Sequence, residues 1–229
     1  MALYASLSSE LRARGLDVTQ SFAAQWYNEA TSDRGLARLP TFGHSATSCL
    51  LIGNTRELWV PFLQWYAAHG SSSTDPIDDF CHKMVNDSLA NAGSLPNYSI
   101  FWADDYSPAT LISMQRVAEV SALCHLNHEA HLAIHPTYGA WISFRAVLVF
   151  DDELPAALSS PPLPVARLLS DEESAECSRL LQEALEDDNK DWRRWVALRD
   201  AIKTGIEFRF SPEQIEYHYS GNRKVLQRY

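Results

Sequence analysis

The sequence predicts an α+β fold in which helices cover a sheet and a helical cap follows at the C-terminus. Strand-like and helix-like segments alternate up to residue 150, whereas the segments after residue 168 are all helical in pattern. The length of 229 residues suits one domain with a small appendage. Four prolines between 151 and 168 mark the internal boundary. We therefore expect an α+β core over 1–150 and a Pro-rich connection and helical cap over 151–229, within the same domain.

Hydrophobic patterning predicts the individual elements of the core. The spacing of leucines predicts an amphipathic helix over 3–14. The apolar run at 48–53 predicts a buried strand, and the aromatic and β-branched side chains at 98–102 and 138–150 are typical of two more strands. A helix is expected over 56–68, where the pattern ends at a glycine.

Helix-start signals predict the remaining helices. Asp75 is expected to cap a helix in which Pro76 takes the first position. Ser170 and Glu173 have the spacing of a capping box. The same kinds of signal predict helices from Ser107-Pro108 to about Cys124, from Ser170 to about Glu186, over 191–203, and from Ser211 onward.

Composition and charge exclude several classes of function. The net charge of −10 gives no basic footprint for nucleic acid or an anionic membrane. No apolar run approaches the ~20 residues that span a bilayer. The four cysteines are scattered and form no CxxC pair, which argues against a disulfide framework. The start of the chain resembles no secretory signal, so we expect a cytoplasmic protein.

Two groups of side chains suggest chemistry. Four histidines at 125, 128, 131 and 135 are a candidate divalent-metal site. On a helix His125, His128 and His131 would share a face, whereas on a strand or hairpin they would not converge, and the pattern leaves the choice open. The arginines of the 191–203 helix, with Arg223, either clamp a carboxylate or phosphate or pair with neighbouring acidic residues.

An ordered set of short motifs resembles the CblC cobalamin-processing proteins. They begin with Trp-Tyr-Asn-Glu at 26–29 and include His-Pro-Thr-Tyr-Gly-Ala-Trp at 135–141, followed by Arg145. The other similar segments are 61–64, 75–78, 192–200 and 210–217, with Arg223 after them. The likeness spans about residues 20–150 and 190–226.

The resemblance implies both a fold and a function. It implies a flavin-reductase- or nitroreductase-like antiparallel sheet with a large cavity for cobalamin whose nucleotide base is detached. The implied activity is removal of the upper axial ligand of cobalamin (decyanation or dealkylation) with reduced flavin (FMN or FAD) or glutathione. Seven Trp and nine Tyr suit a pocket for the broad apolar corrin.

The resemblance also implies a set of site residues. His125 and His128 are expected to be catalytic, and Arg193, Arg199 and Arg223 to clamp an anionic co-substrate. The expected cofactor-binding residues are Asp105, Gln115, Asn127, His128, His135, Gly139 and Trp141, of which the last three also build the turn into the central strand.

Two departures from the family pattern bear on these expectations. The family has a Tyr-Tyr-Tyr-Gln run where this chain has His-Leu-Asn-His at 125–128. An arginine that anchors glutathione in the family corresponds to Thr137, so glutathione loses one expected contact. One alternative is a metal-dependent oxidoreductase, ligated by His125, His128 and His131, that acts on a small organic molecule without cobalamin. A second is a non-catalytic cobalamin chaperone; a homodimer is left open.

Overall fold

A computed structural model describes residues 2–187 and 190–228. The helices are α1 (Ala2–Ala13), α2 (Ala24–Ala30), α3 (Trp59–His69), α4 (Pro76–Asn91), α5 (Met114–Val120), α6 (Asp171–Glu186), α7 (Arg193–Asp200) and α8 (Pro212–Ser220). The strands are β1 (Val18–Ala23), β2 (Thr47–Asn54), β3 (Tyr98–Trp102), β4 (His125–Asn127), β5 (Leu132–Ile134) and β6 (Ser143–Glu153). In this part of the chain no helix has an apolar stretch long enough to cross a membrane.

Four strands form an antiparallel sheet in the order β1-β2-β6-β3. Side chains alternate between its two faces, as the period of two requires. On one face Leu50 and Leu148 pack with α1, α3 and α4, and on the other Leu51 and Val147 pack with α2 and α5. The sheet is therefore covered by helices on both faces, as the sequence predicts.

The C-terminal segments join the same core. Tyr217, Val225 and Leu226 belong to the apolar cluster that contains Leu50 and Leu148. Helices α6 and α7 pack on the small β4–β5 hairpin through a separate cluster. The hairpin therefore lies between the main sheet's helices and the C-terminal helices.

Several predicted elements are confirmed. The strand at 98–102 is β3, and the buried run at 48–53 lies within β2, which is buried along its whole length. The capping box is formed, since Ser170 accepts from the Glu173 backbone and the Glu173 side chain accepts from the Ser170 backbone.

Two helix starts differ from the prediction. The helix expected from Ser107 begins only at Met114, because Asp105 accepts hydrogen bonds from Ser107 N and Thr110 Oγ1 and holds that segment as a turn. Pro76 does begin α4, but Asp75 does not cap it. The Asp75 carboxylate instead accepts hydrogen bonds from Tyr217 and Arg223.

The segment with the histidines contains the hairpin that the sequence left undecided. His125 pairs with Ile134 across β4 and β5. The central strand β6 begins at Ser143 rather than 138, because His135 and Gly139 form an isolated bridge that turns the chain before it. The elements β1 and α2 were not predicted.

Candidate functional site

The candidate site consists of three neighbouring cavities whose walls all include Gln115, and together we call them the cleft. Their volumes are about 610, 280 and 340 Å³. The basic cavity, as we call the first, is lined by Arg34, Leu36, Ser113, Gln115, Arg116, Leu126, His128 and His131. The second lies against the start of β6 and includes Arg145 and Arg199. The third lies between the hairpin and the C-terminal helices.

Gln115 joins α5 to the tip of the hairpin at the centre of the cleft. Its Nε2 donates a hydrogen bond of 2.9 Å to the backbone oxygen of His131. His131 has a φ of +51°, a left-handed conformation that the tight turn between β4 and β5 requires. Ser113 caps the first turn of α5 next to Gln115. The position of Gln115 is therefore fixed by two local structures.

Arg145 lies at the inner end of the cleft, on β6. Its Nε donates to Asn54 Oδ1 at 2.7 Å, and its Nη1 lies 3.3 Å from Asp78 Oδ1. The remaining nitrogen, Nη2, is buried and has no hydrogen-bond partner among residues 2–187 and 190–228. Burial raises the pKa of Asp78 to about 6, against the opposing effect of Arg145. The arginine therefore retains one donor beyond its ion pair.

Arg199 lines two of the three cavities from α7. Its Nη1 donates to the backbone oxygen of Ala140 at 2.5 Å and lies 3.5 Å from that of Ile142. Its guanidinium carbon is 5.8 Å from the centre of the Tyr219 ring. These contacts hold a positive charge at the wall that separates the sheet from the C-terminal helices.

His218 on α8 lies near three arginines behind this wall. Its Nε2 is buried without a partner in the described residues. Burial, together with the smaller effect of the charges on Arg145, Arg199 and Arg223, lowers the pKa of His218 to about 3. The imidazole is therefore neutral near pH 7.

The structure does not assemble the predicted metal site. His125 lies within the β4–β5 ladder, His128 follows it with Nε2 3.0 Å from Glu119 Oε1, and His131 lies in the turn. In the described ranges no group of three or more His, Cys, Asp and Glu side chains is arranged to hold a metal ion. The hairpin geometry therefore does not gather His125, His128 and His131 into one ligand set within the described residues, whereas a helix would have placed them on one face.

The two predicted catalytic histidines have different surroundings. His128 lines the basic cavity. His125 is not among the wall residues of the cleft; it lies beside the backbone of Val165, and partial burial lowers its pKa. The geometry thus brings His128 to the cleft and leaves His125 outside it.

Several residues of the predicted cofactor-binding set have structural contacts instead. Asn127 is buried, accepts from the backbone of Glu129 and Ala130, and donates to Ser174 Oγ at 2.9 Å. Asp105 holds the turn before α5, and those hydrogen bonds lower its pKa. Neither residue is among the wall residues of the cleft.

The His-Pro turn also has a structural arrangement. His135 Nδ1 accepts from the backbone N–H groups of Thr137 and Tyr138 at 3.0 and 3.2 Å. Gly139 packs so closely on the 204–205 backbone that a Cβ atom would lie 1.9 Å from Thr204 O. Trp141 is fully buried against Phe210. Of the predicted cofactor-binding residues, the cleft walls contain Gln115 and His128.

The structure separates Arg193 from the other two arginines of the predicted clamp, whose charges both act on His218. Arg193 is mostly exposed, pairs with Asp191 and lies over the Trp192 ring. Arg223 pairs with Asp75 at 3.0 Å, whereas Arg199 lines the cleft. Sequence reasoning did not assign Arg34, Arg116 or Arg145 to the site. Arg145 follows the 135–141 motif of the resemblance, and that was its signal; no sequence pattern singled out Arg34 or Arg116.

The fold and the cleft define a class of protein, one with an antiparallel sheet covered by helices and cavities that extend from α5 to the C-terminal helices. The chain belongs to the methylmalonic aciduria and homocystinuria type C family, whose model matches residues 15–227. It is 25% identical over 247 residues to a Danio rerio protein named cyanocobalamin reductase / alkylcobalamin dealkylase, covering 99% of this chain and 92% of that protein.

The fold is also similar to a solved structure, that of a C. elegans B12-trafficking protein CblC, described as a human MMACHC homologue. The two share 21% identity with a TM-score of 0.77, over 99% of this chain and 94% of the other. This similarity confirms the expected antiparallel sheet with flanking helices.

Proposed function

We propose that this protein binds a cobalamin in the cleft and removes its upper axial ligand by reduction. The observation that carries the proposal is the meeting of three cavities at Gln115, between the sheet and the C-terminal helices. A corrin is a broad apolar disc with amide groups at its edge, and it needs apolar walls with a few polar groups. The family membership and the name of the Danio rerio relative support the same ligand.

The walls of the third cavity suit the faces of the disc. They include Leu132, Leu181 and Leu198, with Trp195 and Tyr219 beside them. Gln115 and Arg199 are polar residues at the borders between cavities, where edge amides would need partners. We therefore assign Gln115 and Arg199 to orienting the corrin and the apolar side chains to excluding water.

The proposed reaction is a one-electron reductive decyanation. A reduced flavin would supply one electron to the cobalt(III) of the substrate, and cyanide would leave with the bonding pair of the cobalt–carbon bond, so that cobalt(II) would remain. The protein contributes a binding site in which the nucleotide base is detached and the cobalt is easier to reduce. The test also determines whether FMN or FAD is the electron donor.

Flavin-dependent decyanation is better supported in this chain than glutathione-dependent dealkylation. Thr137 replaces the family's anchoring arginine and lies exposed on the His-Pro turn. Arg193 is directed to Asp191 on the surface rather than to the cleft. The cleft therefore offers a thiol co-substrate fewer cationic partners than the family pattern implies.

The test is a titration of cyanocobalamin with the purified protein. We expect the visible spectrum to change to that of the base-detached form, and cobalt(II) to appear when reduced flavin is added without oxygen. Gln115→Trp should fill the junction of the cavities and abolish the change. Gln182→Trp, at an exposed position on α6, is the matched control.

Each negative result has a defined meaning. An unchanged spectrum with folded protein would overturn the proposal. Binding without decyanation by reduced FMN or FAD would overturn its enzymatic part and leave a cobalamin carrier. Equal binding by the Gln115→Trp variant would place the ligand outside this cleft.

A further inference from the structure

The basic cavity differs in charge from the rest of the molecule. The chain carries a net charge of −10, yet the wall residues of this cavity include two arginines and two histidines and neither Asp nor Glu. Its volume of about 610 Å³ is large enough for a nucleotide-sized group. A basic cavity of this size in an acidic protein is suited to an anionic group of the ligand.

A carboxylate behind the wall fixes two of these groups. Glu119 Oε2 accepts a hydrogen bond of 2.7 Å from Arg116 Nη1, and Glu119 Oε1 lies 3.0 Å from His128 Nε2. The side chains of Arg116 and Glu119 are 18% and 26% exposed. Because both partners are held by one carboxylate, they are presented to the cavity together.

Hydrogen-bond donors remain available on this wall. In residues 2–187 and 190–228 the side-chain hydrogen bond of Arg116 uses Nη1, which leaves its Nε and Nη2 for a ligand. Ser113 Oγ accepts from the backbone of Arg116, so its hydroxyl hydrogen can be donated elsewhere. Arg34 also lines the cavity, with a half-exposed side chain whose Nε is 4.0 Å from Asp33 Oδ1.

We propose that the basic cavity is a phosphate-ester subsite, formed by Arg34 and Arg116 with His128 and Ser113. Arginines with fork-like donors are the groups that best match phosphate oxygens. This inference rests on the proposed function, which supplies two ligands that carry such a group. One source is the phosphodiester of the cobalamin nucleotide tail, and the other is the phosphate of a flavin nucleotide.

The experiment compares ligands with and without the phosphate. Wild type and variants are titrated with cyanocobalamin and with cobinamide, which lacks the nucleotide and its phosphate, and then with FMN and with riboflavin. The variants are Arg34→Gln and Arg116→Gln. Arg179→Gln, which removes an exposed arginine paired with Glu176 on α6, is the matched control.

We expect each cavity variant to weaken binding of the phosphate-bearing member of one pair about tenfold, the size of one lost charge-assisted hydrogen bond. Binding of the member without phosphate should change less than twofold, and the control should change neither. If the variants distinguish cyanocobalamin from cobinamide, the phosphate comes from the nucleotide tail of cobalamin. If they distinguish FMN from riboflavin, it comes from the flavin nucleotide. If Arg116→Gln destabilises α5, the Arg34→Gln variant keeps the test valid, because the Arg34 side chain makes no hydrogen bond in the described ranges and its backbone bond to Thr31 is kept.

Failure of this inference can be told apart from failure of the proposed function. If neither pair distinguishes the cavity variants from wild type, the phosphate subsite is overturned even when cobalamin binds. If no corrinoid binds, the proposed function fails, and the FMN and riboflavin pair still decides the subsite. If no member of either pair binds, both are overturned.

Discussion

Asp78 and Arg145 form an ion pair at the inner end of the cleft, with 3.3 Å between Oδ1 and Nη1. Their side chains are only 26% and 11% exposed. Burial raises the pKa of Asp78 to about 6 although the neighbouring guanidinium lowers it. The desolvation of this carboxylate therefore outweighs its ion pair.

This imbalance predicts a pH dependence of stability. Because Asp78 holds its proton more tightly in the folded protein, the folded state binds more protons than the unfolded chain between its ordinary pKa of 3.8 and about 6. Its contribution to the free energy of unfolding therefore falls as pH rises through that window. We compare the free energies of unfolding of Asp78→Asn and wild type in urea. From pH 4 to pH 7 the value for the variant should rise by about 2 kcal/mol relative to wild type.

The control for this prediction is Asp87→Asn. Asp87 lies on the same helix, is exposed and pairs with Lys83 four residues earlier. The Asp87→Asn variant measures the effect of losing a carboxylate that is exposed rather than buried. An energy difference between wild type and Asp78→Asn that stays constant from pH 4 to 7 would contradict the assigned cause.

A second prediction concerns the contact of Gly139 with the segment before α8. Gly139 has a φ of +58°, and an added Cβ would lie 1.9 Å from Thr204 O. We expect Gly139→Ala to lower the free energy of unfolding by about 3 kcal/mol or more, since backbone must move apart. Gly35→Ala is the control. Its φ is +65°, but in the described part of the chain no atom outside its two chain neighbours lies within 4 Å of the added Cβ, so about 1 kcal/mol of conformational strain is expected. Equal losses of free energy of unfolding in the two variants would show that the close approach of Gly139 to Thr204 does not affect stability.

The sequence was sufficient to predict those elements of secondary structure whose signals are local. The strand at 98–102 and the capping box of Ser170 and Glu173 follow from residue types within a few positions of each other. The Ser107-Pro108 signal was misleading because Asp105 makes a competing turn with Thr110. Serine and proline favour turns as readily as helix starts, so the Asp105 carboxylate decided which of the two structures this segment adopts.

The cleft could be predicted only in part, because its residues meet through tertiary structure. Gln115 and His128 were expected at the site and do line it. Arg34 comes from a loop whose path the sequence does not determine, and Arg116 faces the cavity only because the hairpin packs beside α5. Spacing alone also could not show that Asn127 is directed to Ser174.

A third prediction tests the structural role of Asn127. Its side chain makes three hydrogen bonds, two within the hairpin turn and one to Ser174 on α6. Asn127→Ala should lower the free energy of unfolding by about 2–3 kcal/mol, because buried backbone donors lose their acceptor. Cyanocobalamin affinity measured well below the unfolding midpoint should stay within twofold of wild type. A large loss of affinity with unchanged stability would return Asn127 to the ligand-binding set.

The fourth prediction separates the arginines of α7. Arg199 lines two cavities of the cleft, whereas the side chain of Arg193 is 72% exposed and pairs with Asp191 outside it. Arg199→Ala should weaken cyanocobalamin binding about tenfold, the effect of one charge-assisted contact. Arg193→Ala should change it less than twofold.

Arg199 also supports the fold, so this comparison needs a second variant. Its hydrogen bond to Ala140 O stabilises the turn before β6, and Arg199→Ala loses both that bond and the charge. Arg199→Lys keeps the charge but has a single ammonium, which cannot donate to the Ala140 and Ile142 carbonyls with the geometry of a guanidinium. If the charge at the cleft wall matters for the ligand, the lysine variant recovers part of the affinity while its unfolding midpoint stays lowered. If affinity only follows the unfolding midpoint through both variants, Arg199 is a structural residue and the orienting role assigned to it is wrong.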